Sequence, residues 1–312
     1  MNIRPDVSII MPAYKAMATI TESIRSVQLQ THKNWELIIV DDGSPDDTAL
    51  TARIAAGDDQ RISVIQRSNR GPSVARNHAA GLAQANVLAF LDADDLWAAE
   101  RLEGMLEALA SNARAGVVFS RTRFIDAETH KQGTLTAHRP RLQAKDLFAE
   151  NAVCSTSNVV CRKAVFEQTD GFNPRLAFAE DQDWLLRIAL GTEWEIVGLD
   201  EEWFFYRSSG ESQSADLDQM RHGWLRMVDA ACRAFPENAP AASRLAYGPI
   251  HRQLARRALR MAQPATAMRY LALALRYNPG LLVRQPKRTL LTLAGALISF
   301  IPNPKLKELV AK

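Results

Sequence analysis

Asp92-Ala93-Asp94-Asp95 sets three carboxylates within four residues, directly after the apolar run Val87-Leu88-Ala89-Phe90-Leu91. Such a run reads as a buried strand, so the acids fall at its C-terminal end. Two carboxylates about 5 Å apart repel by roughly 3 kcal/mol at an effective dielectric near 20. A bound cation removes that cost, and hard oxygen donors suit Mg2+ or Mn2+ shared with substrate phosphates. Alone, an Asp-x-Asp is more often a solvated turn; its neighbours decide the reading. Asp42 can accept a hydrogen bond from a ring N–H, and Tyr14 can stack on that ring. Arg76 carries a planar guanidinium suited to phosphate or a base carbonyl. Together these residues describe a pocket for a nucleotide diphosphate and its metal.

The elements that must hold them follow from periodicity. Val7 to Met11 is an apolar run stopped by Pro12, and Thr19 to Gln30 reads as a helix on Ile20, Ile24 and Val27. Trp35 to Val40 is a second strand, ending in the turn residues Asp41-Asp42-Gly43-Ser44-Pro45. A helix to about Ala56, a strand from Ile62 to Ile65, and a helix from Gly71-Pro72-Ser73 to Ala85 follow, the last with Ser73 as its cap. Ala98 to Ala110 is the helix after the fourth strand. This alternation predicts an α/β fold with a mostly parallel, Rossmann-like sheet covered by helices on both faces. Ligands of such sheets bind beyond the C-terminal strand ends. Pro12-Ala13-Tyr14, Asp41 to Ser44 and Asp92 to Asp95 all fall on that edge. Val117 to Ser120, Asn158 to Cys161 and Trp203 to Tyr206 read as further strands, Arg121 to Leu142 as a polar loop.

Val7 to Tyr14, Glu36 to Ser44, Gly71-Pro72-Ser73-Val74-Ala75-Arg76-Asn77 and Phe90 to Asp95 resemble the N-terminal half of family 2 glycosyltransferases, which have the GT-A fold. The similarity is close over residues 5–110 and loose to 212. It implies a nucleotide-sugar donor, most commonly a UDP-sugar, and inversion at the anomeric carbon. It also implies donor-binding roles for Pro12, Tyr14, Asp42, Arg76 and Asp92, with Asp92 and Asp94 holding Mn2+ or Mg2+. Asp95 supports the loop.

Inverting transfer needs a base for the acceptor hydroxyl. Phe178-Ala179-Glu180-Asp181-Gln182-Asp183-Trp184 opens a helix running to Leu190. In the family the Asp of a Glu-Asp pair at this helix start is the base, which makes Asp181 the candidate; helix capping is the plainer role for the same residue. Glu180 and Trp184 are assigned to the acceptor. Tyr206-Arg207-Ser208-Ser209-Gly210-Glu211-Ser212 resembles the family's loop after the last strand, with Arg207 toward the pyrophosphate. The Gln-x-x-Arg-Trp signature of processive synthases is absent, which favours single-sugar transfer. The acceptor reads as a glycan or lipid-linked glycan of bacterial cell-surface polysaccharide synthesis.

Other classes fit less well. A sugar-phosphate nucleotidyltransferase would carry a Gly-rich loop where Pro12-Ala13-Tyr14-Lys15 stands. A non-catalytic adaptor would have no need of Asp94 and Asp181, and both are present. Neither a Gly-x-Gly-x-x-Gly nor a P-loop sequence occurs.

The chain has 312 residues and 47% hydrophobic content, enough for a large and a smaller domain. Residues 1–215 hold 22 Lys and Arg against 30 Asp and Glu; residues 216–312 hold 16 against 5. The expected division is a GT-A domain over 1–215 and a basic helical region over 216–312. Net charges of −8 and +11 point the second region at an anionic partner, a membrane surface or nucleic acid, unless its arginines are merely solvated. No recognised nucleic-acid-binding module accompanies it, so nucleic acid is not the expected partner. Thr289 to Ile301 carries no charge, yet is shorter than the ~20 residues a span requires. Flanked by Arg284, Lys287, Arg288, Lys305 and Lys307, it suits interfacial docking or, equally, a helix packed on its own domain. Three cysteines without ligand spacing and a start lacking a signal-peptide core read as a cytoplasmic protein, peripheral to the inner membrane face.

Overall fold

The structure, a computed structural model, describes residues 4–126, 130–176, 178–208, 216–244 and 246–299. The chain divides into two compact units, Met1–Gln143 with Ala152–Ser212, and Ala144–Asn151 with Gln213–Lys312. The segment 144–151 therefore goes with the helical unit, although it lies inside the sheet unit's stretch of sequence.

The sheet unit opens with β1 (Val7–Ala13), α1 (Ile20–Gln28), β2 (Trp35–Asp41), α2 (Thr48–Ala56), β3 (Ile62–Gln66), α3 (Pro72–Leu82) and β4 (Val87–Phe90). It continues with β5 (Leu96–Trp97), α4 (Arg101–Ser111), β6 (Ala115–Asp126), β7 (Gln132–Leu135) and β8 (Arg141–Leu142). After α5 (Ala144–Ala149) of the helical unit come β9 (Val159–Arg162), α6 (Lys163–Gln168), α7 (Glu180–Gly191) and β10 (Glu195–Ser208). The strand order is β3-β2-β1-β4-β9-β6-β10-β5, with β7 on β6 and β8 on β10. The first four strands are mutually parallel, whereas β9 runs antiparallel to both β4 and β6.

Residues 121–142, read above as loop, instead prolong β6 and supply β7 and β8. Their polarity misleads because this end of the sheet faces water on one side, where strands alternate rather than run apolar. Pro12 does not stop β1 either. Ile10 accepts the Leu91 N–H on the β4 side, so Pro12, two residues on, faces the same side after β4 has turned away. Its missing N–H is not needed there. Ser73 is no cap; Gly71 takes the N-cap position and Pro72 the first helical one.

Alternation in β1 splits the core. Val7, Ile9 and Met11 pack with Ile20, Ile24 and Val27 of α1 and Leu102, Met105 and Leu109 of α4. On the opposite face Phe90 meets Phe166, Phe172 and Trp184, with ring centroids 5.3–6.0 Å away. That aromatic cluster anchors α7, the helix carrying the candidate base.

The helical unit contains α8 (Leu217–Ala234), α9 (Ala239–Arg244), α10 (Tyr247–Arg260), α11 (Pro264–Tyr277), α12 (Leu281–Arg284) and α13 (Pro286–Ile298). Leu254, Ala255, Ala258, Ala267, Tyr270 and Leu271 form its centre, and Trp224 donates its indole N–H to the Phe148 carbonyl at 3.0 Å. Ser209 to Ser212, Ile301, Lys305, Lys307 and the Arg284 side chain lie outside the described residues.

Candidate functional site

β1, β2 and β4 end on one edge, and the three loops foreseen there are tied to one another. Asp42 is buried; its carboxylate accepts the N–H of Arg70 at 3.1 Å and of Gly71 at 2.7 Å, with Arg67 Nε 3.4 Å away. It thereby fixes the entry to α3, where Gly71 holds a φ of 91° that a side chain would strain. Asp41 accepts the Ser44 hydroxyl, whose oxygen in turn accepts the Lys15 N–H at 3.0 Å. Pro12 is buried within β1, while Tyr14 stands 45% exposed at the rim.

Asp92 is held from three directions. Its N–H donates to Ser157 Oγ at 2.9 Å, Ser155 Oγ lies 3.3 Å from Oδ2, and Arg76 Nη2 donates to Oδ1 at 2.6 Å. Asp94 reaches solvent from the cleft floor. Partial desolvation first, and then the charge of Asp92, push its carboxyl up to about 6, with Arg207 and Arg76 opposing. Asp95 is buried; desolvation, then Asp94 and Asp92, raise it well above the usual carboxylate range. It accepts the Arg207 N–H at 3.1 Å, so it braces the loop. Among the described residues no group of three or more His, Cys, Asp or Glu could hold an ion unaided. Two hard-oxygen carboxylates under mutual repulsion nevertheless fit a divalent cation that completes its shell with diphosphate and water.

Arg76 joins this loop to α7. Its Nη1 donates to Glu180 Oε1 at 3.1 Å while Nη2 holds Asp92. Burial alone would loosen its proton, but the charges of Asp92 and Glu180 outweigh that and Asp181 adds to them, so the net direction is upward. Desolvation, then the charge of Asp181, raise Glu180 to about 7, against the pull of Arg76. Asp181 is 8% exposed in the first turn of α7. The residue before the Glu-Asp pair, Ala179, sits at φ 63°, which strains a residue with a Cβ. Asn77, next to Arg76, clamps the backbone of Phe172 through both amide atoms, at 2.7 and 2.9 Å.

Trp184 corrects its assignment to the acceptor. It is fully buried, donates its indole N–H to Thr169 Oγ1 at 2.8 Å, and lies 5.1 Å from the Phe172 ring. Its burial leaves no surface for an acceptor to meet. Arg207 is buried beside the acids: Nη2 donates to Glu22 Oε2 at 2.7 Å, and its Nε has no partner.

Sequence reasoning missed Ser155, Ser157, Asn158 and Glu22. Asn158 Nδ2 donates to the Ser120 carbonyl at 2.7 Å, and Arg101 Nη1 donates to Asn158 Oδ1 at 3.2 Å. This buried polar cluster holds the turn that grips Asp92. Its trace in the sequence is Ser155-Thr156-Ser157-Asn158, four polar residues directly before an apolar strand. Glu22, on α1, leaves no such trace.

Known proteins share this architecture. The family profile described as Glycosyl transferase family 2 matches residues 8–169, just over half the chain. A UDP-Glc:alpha-D-GlcNAc-diphosphoundecaprenol beta-1,3-glucosyltransferase, WfgD of Escherichia coli, is 42% identical over 34% of this chain and 42% of its own. The putative teichuronic acid biosynthesis glycosyltransferase TuaG of Bacillus subtilis is 42% identical over 36% of this chain and 46% of its own. The chain thus matches less than half the length of these relatives. S. aureus TarS 1-349, solved in complex with UDP-GlcNAc, superposes with a TM-score of 0.64 at 18% identity, over 97% of this chain and 90% of that one. The mannosyltransferase PcManGT of Pyrobaculum calidifontis, solved with GDP-Man and Mn2+, gives 0.62 at 21% identity, over 96% and 86%. At these identities the likeness shows the fold.

Proposed function

Because the chain belongs to glycosyl transferase family 2, we propose that it moves a single sugar from a nucleotide sugar to an acceptor hydroxyl with inversion at the anomeric carbon. The observation that carries this is the Arg76 bridge, which couples the acidic loop at the sheet edge to the helix start bearing Asp181. Asp92 and Asp94 would hold Mg2+ or Mn2+, which, when bound, neutralises charge on the leaving diphosphate. Asp42, with Tyr14 at the rim, takes the base, and a UDP-sugar is the proposed donor. Arg76 and Arg207 set the positive charge beside the diphosphate. Asp181 takes the proton of the acceptor hydroxyl as that oxygen attacks from the face opposite the leaving group. Arg76 holds Glu180, the neighbour of Asp181 at the start of α7.

The acceptor we propose is a lipid-linked or cell-surface glycan, met at the inner face of the membrane by a cytoplasmic, peripherally bound protein. Transfer and hydrolysis are measured with UDP- and GDP-sugars in the presence of Mn2+, and the product anomer is read by NMR. Asp181→Asn should lower kcat by roughly 100-fold or more, the scale of a lost general base, with donor affinity retained. A turnover unchanged by Asp181→Asn overturns the assignment, and a product that keeps the donor's anomeric configuration overturns inversion.

A further inference from the structure

α13 packs Leu293 and Ala296 on the centre of the helical unit but turns three other leucines outward. Its buried positions are Thr289, Thr292, Gly295 and Ala296, whereas Leu290, Leu291 and Leu297 are 53, 72 and 54% exposed. Leu290, Leu291, Ala294 and Leu297 follow the i, i+1, i+4, i+7 spacing of one helix face. On a helix lying against its own domain in water, that is the polar face. The inward threonines are satisfied locally: Thr289 Oγ1 donates to the Gln285 carbonyl at 2.9 Å, and Thr292 Oγ1 to that of Arg288 at 2.7 Å. The short helix α12, which leads into α13, adds the exposed Leu282 and Val283, the latter 83% accessible.

Beside this face positive charge accumulates. Lys287 and Arg288 occupy the exposed first turn of α13. Arg252 on α10 lies under the inward side of α13, donating to Thr289 Oγ1 at 3.1 Å, so Lys287 and Arg288 carry the charge of the outer face. Glu150 lies 3.8 Å from Arg288 and is the one carboxylate paired with it among the described residues. Exposed leucines bordered by arginine and lysine match one partner chemistry, an acyl surface under anionic headgroups. No helix of the described residues is long and apolar enough to cross a bilayer, so such contact is interfacial.

We propose that the α12–α13 face docks on anionic lipid, with Leu290, Leu291 and Leu297 among the upper acyl carbons and Lys287 and Arg288 against lipid phosphates. This deepens the membrane part of the function proposed above and rests on it only for its purpose, not for its test. The full chain is mixed with vesicles of phosphatidylcholine alone or with added phosphatidylglycerol, and bound protein is measured by sedimentation at rising salt. Binding should require phosphatidylglycerol and weaken with salt. Leu290→Ser with Leu291→Ser should weaken it by at least about tenfold, since both lose apolar surface that the bilayer would bury. Arg288→Glu with Lys287→Glu should abolish the preference for anionic vesicles. Nucleotide-sugar hydrolysis, unchanged in every variant, reports that the sheet unit is intact. Protein that binds neither vesicle, or leucine variants that bind as tightly as the parent, overturn the proposal. So does self-association that the leucine variants abolish, which would assign the face to a second copy. If vesicle binding holds while no sugar is transferred, the proposed transfer reaction fails and the docking face stands.

Discussion

Replacing Arg76 with lysine tests whether one guanidinium really couples the two halves of the cleft. Arg76 is 5% exposed, and its two terminal nitrogens hold different carboxylates, Asp92 at 2.6 Å and Glu180 at 3.1 Å. Lysine keeps the charge but not the fork, and its shorter reach retains one partner at most. A hydrogen bond to a charged group is worth roughly 1.5–3 kcal/mol. Glu180 and Asp92 keep some access to water, so the lower half of that range applies. Losing the Glu180 link should then lower kcat/KM by about 10- to 30-fold, since 1.4 kcal/mol is tenfold. Arg76→Met removes both bonds and leaves Asp92, Glu180 and Asp181 without their cation. Breaking a buried pair this way costs about 3–5 kcal/mol, or on the order of 10 °C in Tm for a unit of this size. Steady-state transfer and thermal unfolding are measured on parent, Arg76→Lys, Glu180→Gln and the double variant. The two single losses should be non-additive, with a coupling of at least about 1 kcal/mol. Full activity in Arg76→Lys, or strictly additive losses, would refute the coupling.

Three further outcomes follow from the same geometry. Asp94→Asn should abolish transfer and Mn2+-dependent binding of donor while leaving the circular dichroism spectrum and Tm at or above the parent's, because it removes a carboxylate that its neighbours repel. Trp184→Ala should destabilise the sheet unit by about 3–5 kcal/mol, the range for a large aromatic removed from a packed core, a loss read by denaturant unfolding; a mere rise in acceptor KM would restore Trp184 to the acceptor. In the helical unit, His251 Nδ1 lies 2.6 Å from the Tyr247 carbonyl and Nε2 3.3 Å from Arg221 Nε, which together define a neutral ring. Burial, and then the charge of Arg221, lower its pKa from 6.5, against the Tyr247 bond. The unfolded chain therefore binds the proton first, so stability should fall as pH drops below 6.5. Thermal melts of the parent and His251→Gln, compared at pH values on either side of that value, should show the slope shrinking in the variant.

The sequence by itself determined the first half of the sheet unit. Four strand–helix alternations with acids after β2 and β4 settle which edge carries the site, because side-chain period and short loops leave a parallel sheet few other ways to close. Asp42, Arg76, Asp92 and Asp94 could be named because each stands within a few residues of a strand end or helix start. Local sequence does not reach further. Arg76 and Glu180 are 104 residues apart, as the Arg76–Glu180 bond records, and only folding decides that they meet. Glu22 finds Arg207 across 185 residues, and Ser157 finds Asp92 across 65. Polar residues 121–126 and 141–142 become strands because β10 offers them a partner, and 132–135 because β6 does, which is information held in the other strands. Trp184 shows the same limit on a single helix. Its place on α7 is plain in the sequence, but that it fills the core instead of meeting an acceptor depends on the Phe90, Phe166 and Phe172 rings around it. The uncharged run of α13 is divided only by packing: Leu293 and Ala296 go to the core, and Leu290, Leu291 and Leu297 stay outside.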